Sequence, residues 1–115
     1  MGEQRDRGLQ IEDHDGVTVV RFSKGTVLDE QASQAIDDQL GDLVRNWGCR
    51  NLELDFSNVV YLASGALACL INLNKMLRER EGSMTIRNVD PKLFEVFEVT
   101  KLTTLFEVQR RADHA

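Results

Sequence analysis

The hydrophobic positions of the chain repeat with two different periods, and the changes between them mark the predicted elements. Between residues 29 and 47 the apolar positions are spaced by three and four, which is one face of an α-helix. Asp29 suits the N-cap of this helix, and Gly48 suits its C-terminal stop. The pattern predicts a helix over residues 29–47 with an apolar stripe of Ala32, Ile36, Leu40, Leu43 and Trp47, with Trp47 in the core or at its edge.

Residues 52–56 alternate strictly between apolar and polar, which predicts a strand with one buried face and one polar face. A strand covered on both faces would be apolar throughout. The sheet is therefore expected to carry its helices mainly on one face. Further strands are predicted over residues 9–12, 17–22, 83–87 and 105–108.

Two more helices follow from their boundary signals. One is predicted to begin near Ser64 and to stop at Gly82, after a linker over residues 57–62. The other begins at Asp90 and Pro91, an N-cap followed by proline in the first turn. The predicted order is β-β-α-β-α-β-α-β, which indicates an α/β domain with a mixed sheet.

Length and charge narrow the class of protein. The 115 residues suit one domain, predicted over 1–115 with a core at about 9–108 and a polar tail at 109–115. The net charge of −5 disfavours nucleic acid and anionic membranes as partners. The longest apolar run, residues 66–71, has six residues, well short of the ~20 that a membrane span needs. Without an apolar N-terminal segment, the chain is expected to be cytoplasmic.

The usual patterns of catalysis and metal binding are absent from the sequence. It holds two cysteines, Cys49 and Cys69, and two histidines, too few for a zinc cluster or a disulfide framework. Neither histidine lies in a nucleophilic set, and there is no glycine-rich phosphate loop. We therefore predict no catalytic residue, no metal and no cofactor.

Ser64, at the start of the second helix, has two interpretations. As an N-cap, its hydroxyl would accept a backbone N–H of the first turn, and spacing alone favours this common role. As a phosphoacceptor, it would benefit from the positive end of the helix dipole. The small neighbours Ala63, Gly65 and Ala66 would leave its hydroxyl accessible to a kinase. A double negative charge on a docking surface would then release a partner.

Three segments together resemble the STAS domain of bacterial anti-sigma-factor antagonists: the strand end LDFSNV, the helix opening YLASGAL and the closing LFEVFEVTKLTTLFEV. The resemblance extends from about Leu9 to Val108. It implies that the unphosphorylated protein binds an anti-sigma serine kinase of the GHKL class, which frees a sigma factor. It also implies that the kinase phosphorylates the serine at the start of the second main helix and that a PP2C-type phosphatase resets it. Ser64 occupies that place.

The start of this helix departs from the family pattern. Family members commonly read Asp-Ser-Ser-Gly-Leu, whereas this chain reads Ala63-Ser64-Gly65-Ala66-Leu67. The acidic residue before the acceptor and the second serine are both missing. The missing carboxylate is expected to weaken kinase recognition or phosphate turnover.

The partner-binding surface is expected around Ser64 and to include Asp29, Asp55, Ala63, Gly65 and Ala66. The resemblance implies that Asp29 opens the first helix near the acceptor, although the sequence alone favours an N-cap. Asp55 is expected to be a solvated strand carboxylate, with positioning of the Ser64 loop as its alternative role.

Three functional hypotheses remain open at this point. The first is the phosphorylation-controlled antagonist. The second is a non-phosphorylated STAS scaffold or docking module in a signalling or transport assembly. A third, an enzyme or small-ligand binder, ranks last because no general base or phosphate loop is visible. A monomer or a weak dimer is expected.

Overall fold

The computed structural model describes residues 9–111. Within this range the strands are β1 (Gln10–His14), β2 (Val17–Arg21), β3 (Thr26–Leu28), β4 (Asn51–Asp55), β5 (Val59–Leu62), β6 (Ser83–Val89) and β7 (Glu107–Arg110). The helices are α1 (Glu30–Arg45), α2 (Ser64–Glu79) and α3 (Pro91–Val99), followed by a short 3-10 helix at Leu102–Thr104.

Two sheets organise the domain. The main sheet has five strands in the order β1-β2-β4-β6-β7, and the second sheet pairs β3 with β5. In the main sheet β1 runs antiparallel to β2, whereas the β2–β4, β4–β6 and β6–β7 pairs are parallel. The predicted α/β fold with a mixed sheet is confirmed.

The small sheet is the main difference from the predicted element order. The sequence pattern predicts a linker where β5 lies and no element where β3 lies, so it misses both strands. They have three and four residues, and the buried residues of β5 lie at its two ends instead of alternating. Their pairing joins Leu28 to Leu62, a contact between distant parts of the chain that local periodicity does not encode.

The last strand also begins later than predicted. The 3-10 helix continues into Leu105, whose N–H donates to the carbonyl of Leu102. Strand β7 therefore starts at Glu107 and includes Gln109 and Arg110, which the sequence pattern assigned to the polar tail. The remainder of that predicted tail, residues 112–115, lies outside the described residues, as do residues 1–8.

The helix starts follow the predicted capping chemistry. The Asp29 Oδ1 atom accepts the Ala32 N–H at 2.9 Å, and the Asp90 Oδ1 atom accepts the Lys92 N–H at 2.8 Å. Pro91 lies in the first turn of α3, where the missing N–H needs no partner. Both predicted N-caps are confirmed.

The end of α1 corrects the expectation for Trp47. The helix stops at Arg45, and Gly48 then adopts a positive φ of 71°. Trp47 lies beyond the helix and is 76% exposed, with its Nε1 donating to Asp42 Oδ2 at 3.2 Å. Because the helical spacing ends before position 47, this side chain leaves the apolar stripe and does not enter the core.

The core lies between the main sheet and the helices. Leu52 and Leu54 of β4 are buried there, together with the inner residues of all three helices. The alternate residues of β4 face the other side, where Glu53 pairs with Arg87 and Asp55 with Arg21. The predicted one-sided, alternating strand is therefore present, and its outer face is stabilised by cross-strand ion pairs.

Candidate functional site

The small sheet places the starts of α1 and α2 side by side. Strands β3 and β5 are parallel, and each leads directly into a helix at the same end. The Ala63 N–H donates to the Leu28 carbonyl at 2.8 Å, which extends the pairing to the residue before α2. The two helix N-termini therefore lie next to each other, with Ser64 at the first position of α2.

Ser64 is not the N-cap of its helix, and that interpretation is wrong. Ala63 has the extended backbone of a cap, with φ −85° and ψ 165°, and its carbonyl accepts the Leu67 N–H at 3.2 Å. Ala63 has no polar side chain with which to accept an N–H of the first turn. Ser64 is exposed, and its hydroxyl takes no part in capping the helix.

Glu30, the first residue of α1, is the side chain that the sequence interpretation missed. Its Oε2 atom accepts from the Ser64 hydroxyl at 3.4 Å and from the Gly65 N–H at 3.3 Å. Glu30 thus supplies a carboxylate to the N-terminus of α2, whose own first turn has no acidic residue. The two residues are 34 positions apart, so only the β3–β5 pairing reveals that they meet.

The remaining small residues of the predicted surface differ in accessibility. Gly65 is half-buried beside Glu30, whereas Ala63 and Ala66 are 7% and 2% exposed and pack beneath the helix start. Asp29 lies exposed at the adjacent start of α1, where it acts as the N-cap. The accessible part of the predicted surface therefore consists of Ser64, Gly65 and Asp29, with Glu30 added.

Three side chains of the small sheet, which leads into this surface, are both apolar and exposed. They are Val27, Val60 and Tyr61, which are 46%, 61% and 52% exposed. Val27 and Tyr61 are partners in the β3–β5 register, one residue before the pair that leads into the two helices. We call these three residues the small-sheet patch. Val27 and Tyr61 thus lie side by side, and adjoining exposed apolar side chains are typical of a protein-binding surface.

Asp55 lies elsewhere, on the outer face of the main sheet. Its carboxylate accepts from Ser57 N at 3.0 Å, Asn88 Nδ2 at 3.1 Å and Arg21 Nε at 3.3 Å, and Ser64 is not among these partners. Burial has the largest single effect on the pKa of Asp55 and raises it. The hydrogen-bond donors together outweigh burial and hold this pKa below its usual range. Asp55 is thus a bound structural carboxylate and not the freely solvated group that was expected.

The described residues offer little for other chemistry. Among residues 9–111, no three histidine, cysteine or carboxylate side chains come together as a metal site requires. Burial raises the pKa of the Cys49 and Cys69 thiols, which disfavours the nucleophilic thiolate. In this same part of the chain, no helix combines the length and apolar character needed to cross a bilayer.

The two helix starts give a direct test of the corrected capping assignment. Asp29→Ala removes a cap that accepts an N–H of the first turn, and we expect it to lower the free energy of unfolding by about 1 kcal/mol. Ser64→Ala removes a hydroxyl that caps nothing, and we expect a change within about 0.5 kcal/mol. Urea unfolding of both variants measures the difference. Equal losses would show that Ser64 does act as a cap.

Comparison with known proteins identifies the protein family to which this chain belongs. The model of the STAS domain family matches residues 8–115, and the chain belongs to that family. It is 22% identical over 100 residues to an anti-sigma F factor antagonist of Paenibacillus polymyxa, covering 87% of this chain and 84% of the relative.

Solved structures give the same result. An anti-sigma factor antagonist from Mycobacterium paratuberculosis has a TM-score of 0.76 at 26% identity, over 88% of this chain and 83% of that chain. The phosphorylated form of the Bacillus cell fate determinant SpoIIAA has a TM-score of 0.68 at 17% identity, over 87% of this chain and 89% of that chain. The latter identity supports a shared fold only.

Proposed function

We propose that this protein is an anti-sigma-factor antagonist of a partner-switching pathway, a binding regulator and not an enzyme. In the unphosphorylated state it binds an anti-sigma serine kinase of the GHKL class in the cytoplasm, which frees a sigma factor. The kinase phosphorylates Ser64 and the complex dissociates, and a PP2C-type phosphatase restores the binding form. The observation that carries this proposal is the exposed Ser64 hydroxyl at the first position of α2, free of any capping role.

The position of Ser64 suits a phosphate. The first N–H groups of an α-helix have no partner within the helix, and the helix dipole adds about half a positive charge there. A phosphoserine carries about −1.5 to −2 charges and three strong acceptor oxygens. The Ala63 side chain offers neither a cap nor a charge that would compete from within the same turn.

The surroundings of Ser64 suit a switchable protein interface. The small-sheet patch supplies exposed apolar area on β3 and β5, the strands that lead into the two helix starts. A partner that covers this patch and the helix starts would also cover Ser64. A doubly charged phosphate in such an interface would lose its hydration without gaining a counter-charge, and this loss weakens binding.

Mass analysis of the protein isolated from its host tests the proposal. We expect a species heavier by about 80 Da, the mass of one phosphoryl group, present in one growth or stress condition and absent in another. Peptide mapping is expected to place the modification on Ser64. The exposed Ser57, in the turn after β4, is the internal control because it lies outside a helix start.

Two results would contradict the proposal. One is a protein that stays unmodified in every condition, which would favour the non-phosphorylated docking module. The other is modification at Ser57 or another serine with Ser64 untouched. A Ser64→Ala variant isolated in the modifying condition completes the test, because it must lose the heavier species entirely.

A further inference from the structure

The N-terminus of α2 depends on another helix for its negative charge. Its N-cap is Ala63, and its first turn has no acidic residue, whereas α1 has both an acidic cap and Glu30 in its first turn. Helix starts usually satisfy their N–H groups with a nearby oxygen. In α2 that oxygen comes from Glu30, which accepts the Gly65 N–H at 3.3 Å.

The Glu30 carboxylate lies beside the place where the substituent proposed for Ser64 would be attached. The same Oε2 atom lies 3.4 Å from the Ser64 Oγ, the atom to which a phosphoryl group would be attached. It also lies within hydrogen-bond distance of the Gly65 N–H, a donor to which a phosphate oxygen would turn. One carboxylate therefore contacts the hydroxyl that would carry the phosphate and already accepts from the neighbouring backbone donor.

Gly65 makes this approach possible. A Cβ atom at position 65 would clash with Glu30 Oε1 and lie 3.1 Å from its carboxyl carbon. The side chain of Glu30 would have to move away if position 65 carried serine. Glycine at position 65 therefore lets the Glu30 carboxylate approach the start of α2 as closely as it does.

We infer that Glu30 holds the phosphate position at the start of α2 in the unphosphorylated protein, and that phosphorylation of Ser64 expels it. The inference rests on the proposed phosphorylation of Ser64 and extends it. A dianion bonded to Ser64 and a carboxylate cannot share the same donor at this separation, because like charges in contact repel. Glu30 is therefore a positioning residue. When its side chain is expelled, the phosphorylation of Ser64 also alters the start of α1.

A double-mutant cycle tests this inference on the full chain without a kinase. Ser64→Asp introduces the negative charge, and Glu30→Gln removes the competing charge while keeping an oxygen for the Gly65 N–H. We expect Ser64→Asp to lower the folding equilibrium constant in the Glu30 background. In the Gln background we expect its effect to be about tenfold more favourable, a coupling typical of side chains in contact.

Asp38→Asn is the matched control. It removes one charge from the same helix at an exposed position about 12 Å along the axis from Glu30, beyond the screening length at physiological salt. We expect its coupling to Ser64→Asp to be close to zero. Equal coupling for Asp38→Asn and Glu30→Gln, or no coupling for either, would overturn the inference.

A second measurement avoids reliance on the stability of the Ser64→Asp variant. In NMR spectra of the unmodified protein at constant pH, Glu30→Gln is expected to shift the Gly65 amide proton, because a charged acceptor is replaced by a neutral one, whereas Asp38→Asn is expected to leave it unchanged. An equal shift of the Gly65 amide proton in the two variants, or no shift in either, would overturn the inference. Both tests can fail while Ser64 is phosphorylated, and both can succeed on a protein that no kinase modifies, so they are distinct from the test of function.

Discussion

Ser64→Asp is expected to weaken binding to the proposed anti-sigma serine kinase by roughly 100-fold. The physical reason is the introduction of a negative charge into an interface that covers the helix starts and the small-sheet patch. An uncompensated charge buried on binding costs about 3 kcal/mol, which corresponds to this change in Kd. Calorimetric titration of the kinase with each purified variant measures it.

Ser57→Asp is the control for this binding prediction. It adds the same charge at another exposed serine, in the turn between β4 and β5. We expect its affinity to stay within about threefold of the wild type, the effect of a charge at or beyond the rim of an interface.

Ser64→Ala is expected to bind the kinase as the wild type does and to stay bound when ATP is added. Wild-type affinity in Ser64→Asp would reject the switch and leave the docking module.

Long elements with one dominant period were predictable from the sequence. Helix α1 and strand β4 each bury one face. Their apolar residues therefore repeat with periods of about 3.6 and 2, which the sequence shows directly. Asp29 and Asp90 also had local signals, because a capping side chain acts on N–H groups only two or three residues away.

The small sheet was not predictable in this way, and the site depends on it. Strands of three and four residues are too short to show a period, and their partners are far apart in the sequence. Missing that pairing hid the contact between Glu30 and Ser64. The absence of an acid from the first turn of α2 was a visible signal, but it did not indicate which residue supplies the charge.

Phe56→Ala is expected to lower the free energy of unfolding by about 3–5 kcal/mol. The side chain is fully buried, with its ring centroid 5.5 Å from Phe22 in an edge-on contact and 6.2 Å from Phe97. Its removal therefore leaves a cavity between the main sheet, the small sheet and α3. Since domains of this size are stable by about 5–15 kcal/mol, the loss is a large share of the total. Urea unfolding at constant pH measures it.

Phe56 also lies at the junction of the two sheets, which its backbone connects. Its N–H donates to the Arg87 carbonyl at 2.9 Å, and its carbonyl accepts the Val59 N–H at 3.0 Å, where β5 begins. Val99→Ala is the control. Val99 is 77% exposed at the end of α3, and we expect its loss to change stability by less than about 0.5 kcal/mol. Similar losses for the two variants would mean that the aromatic cluster does not stabilise the junction that holds Ser64 in place.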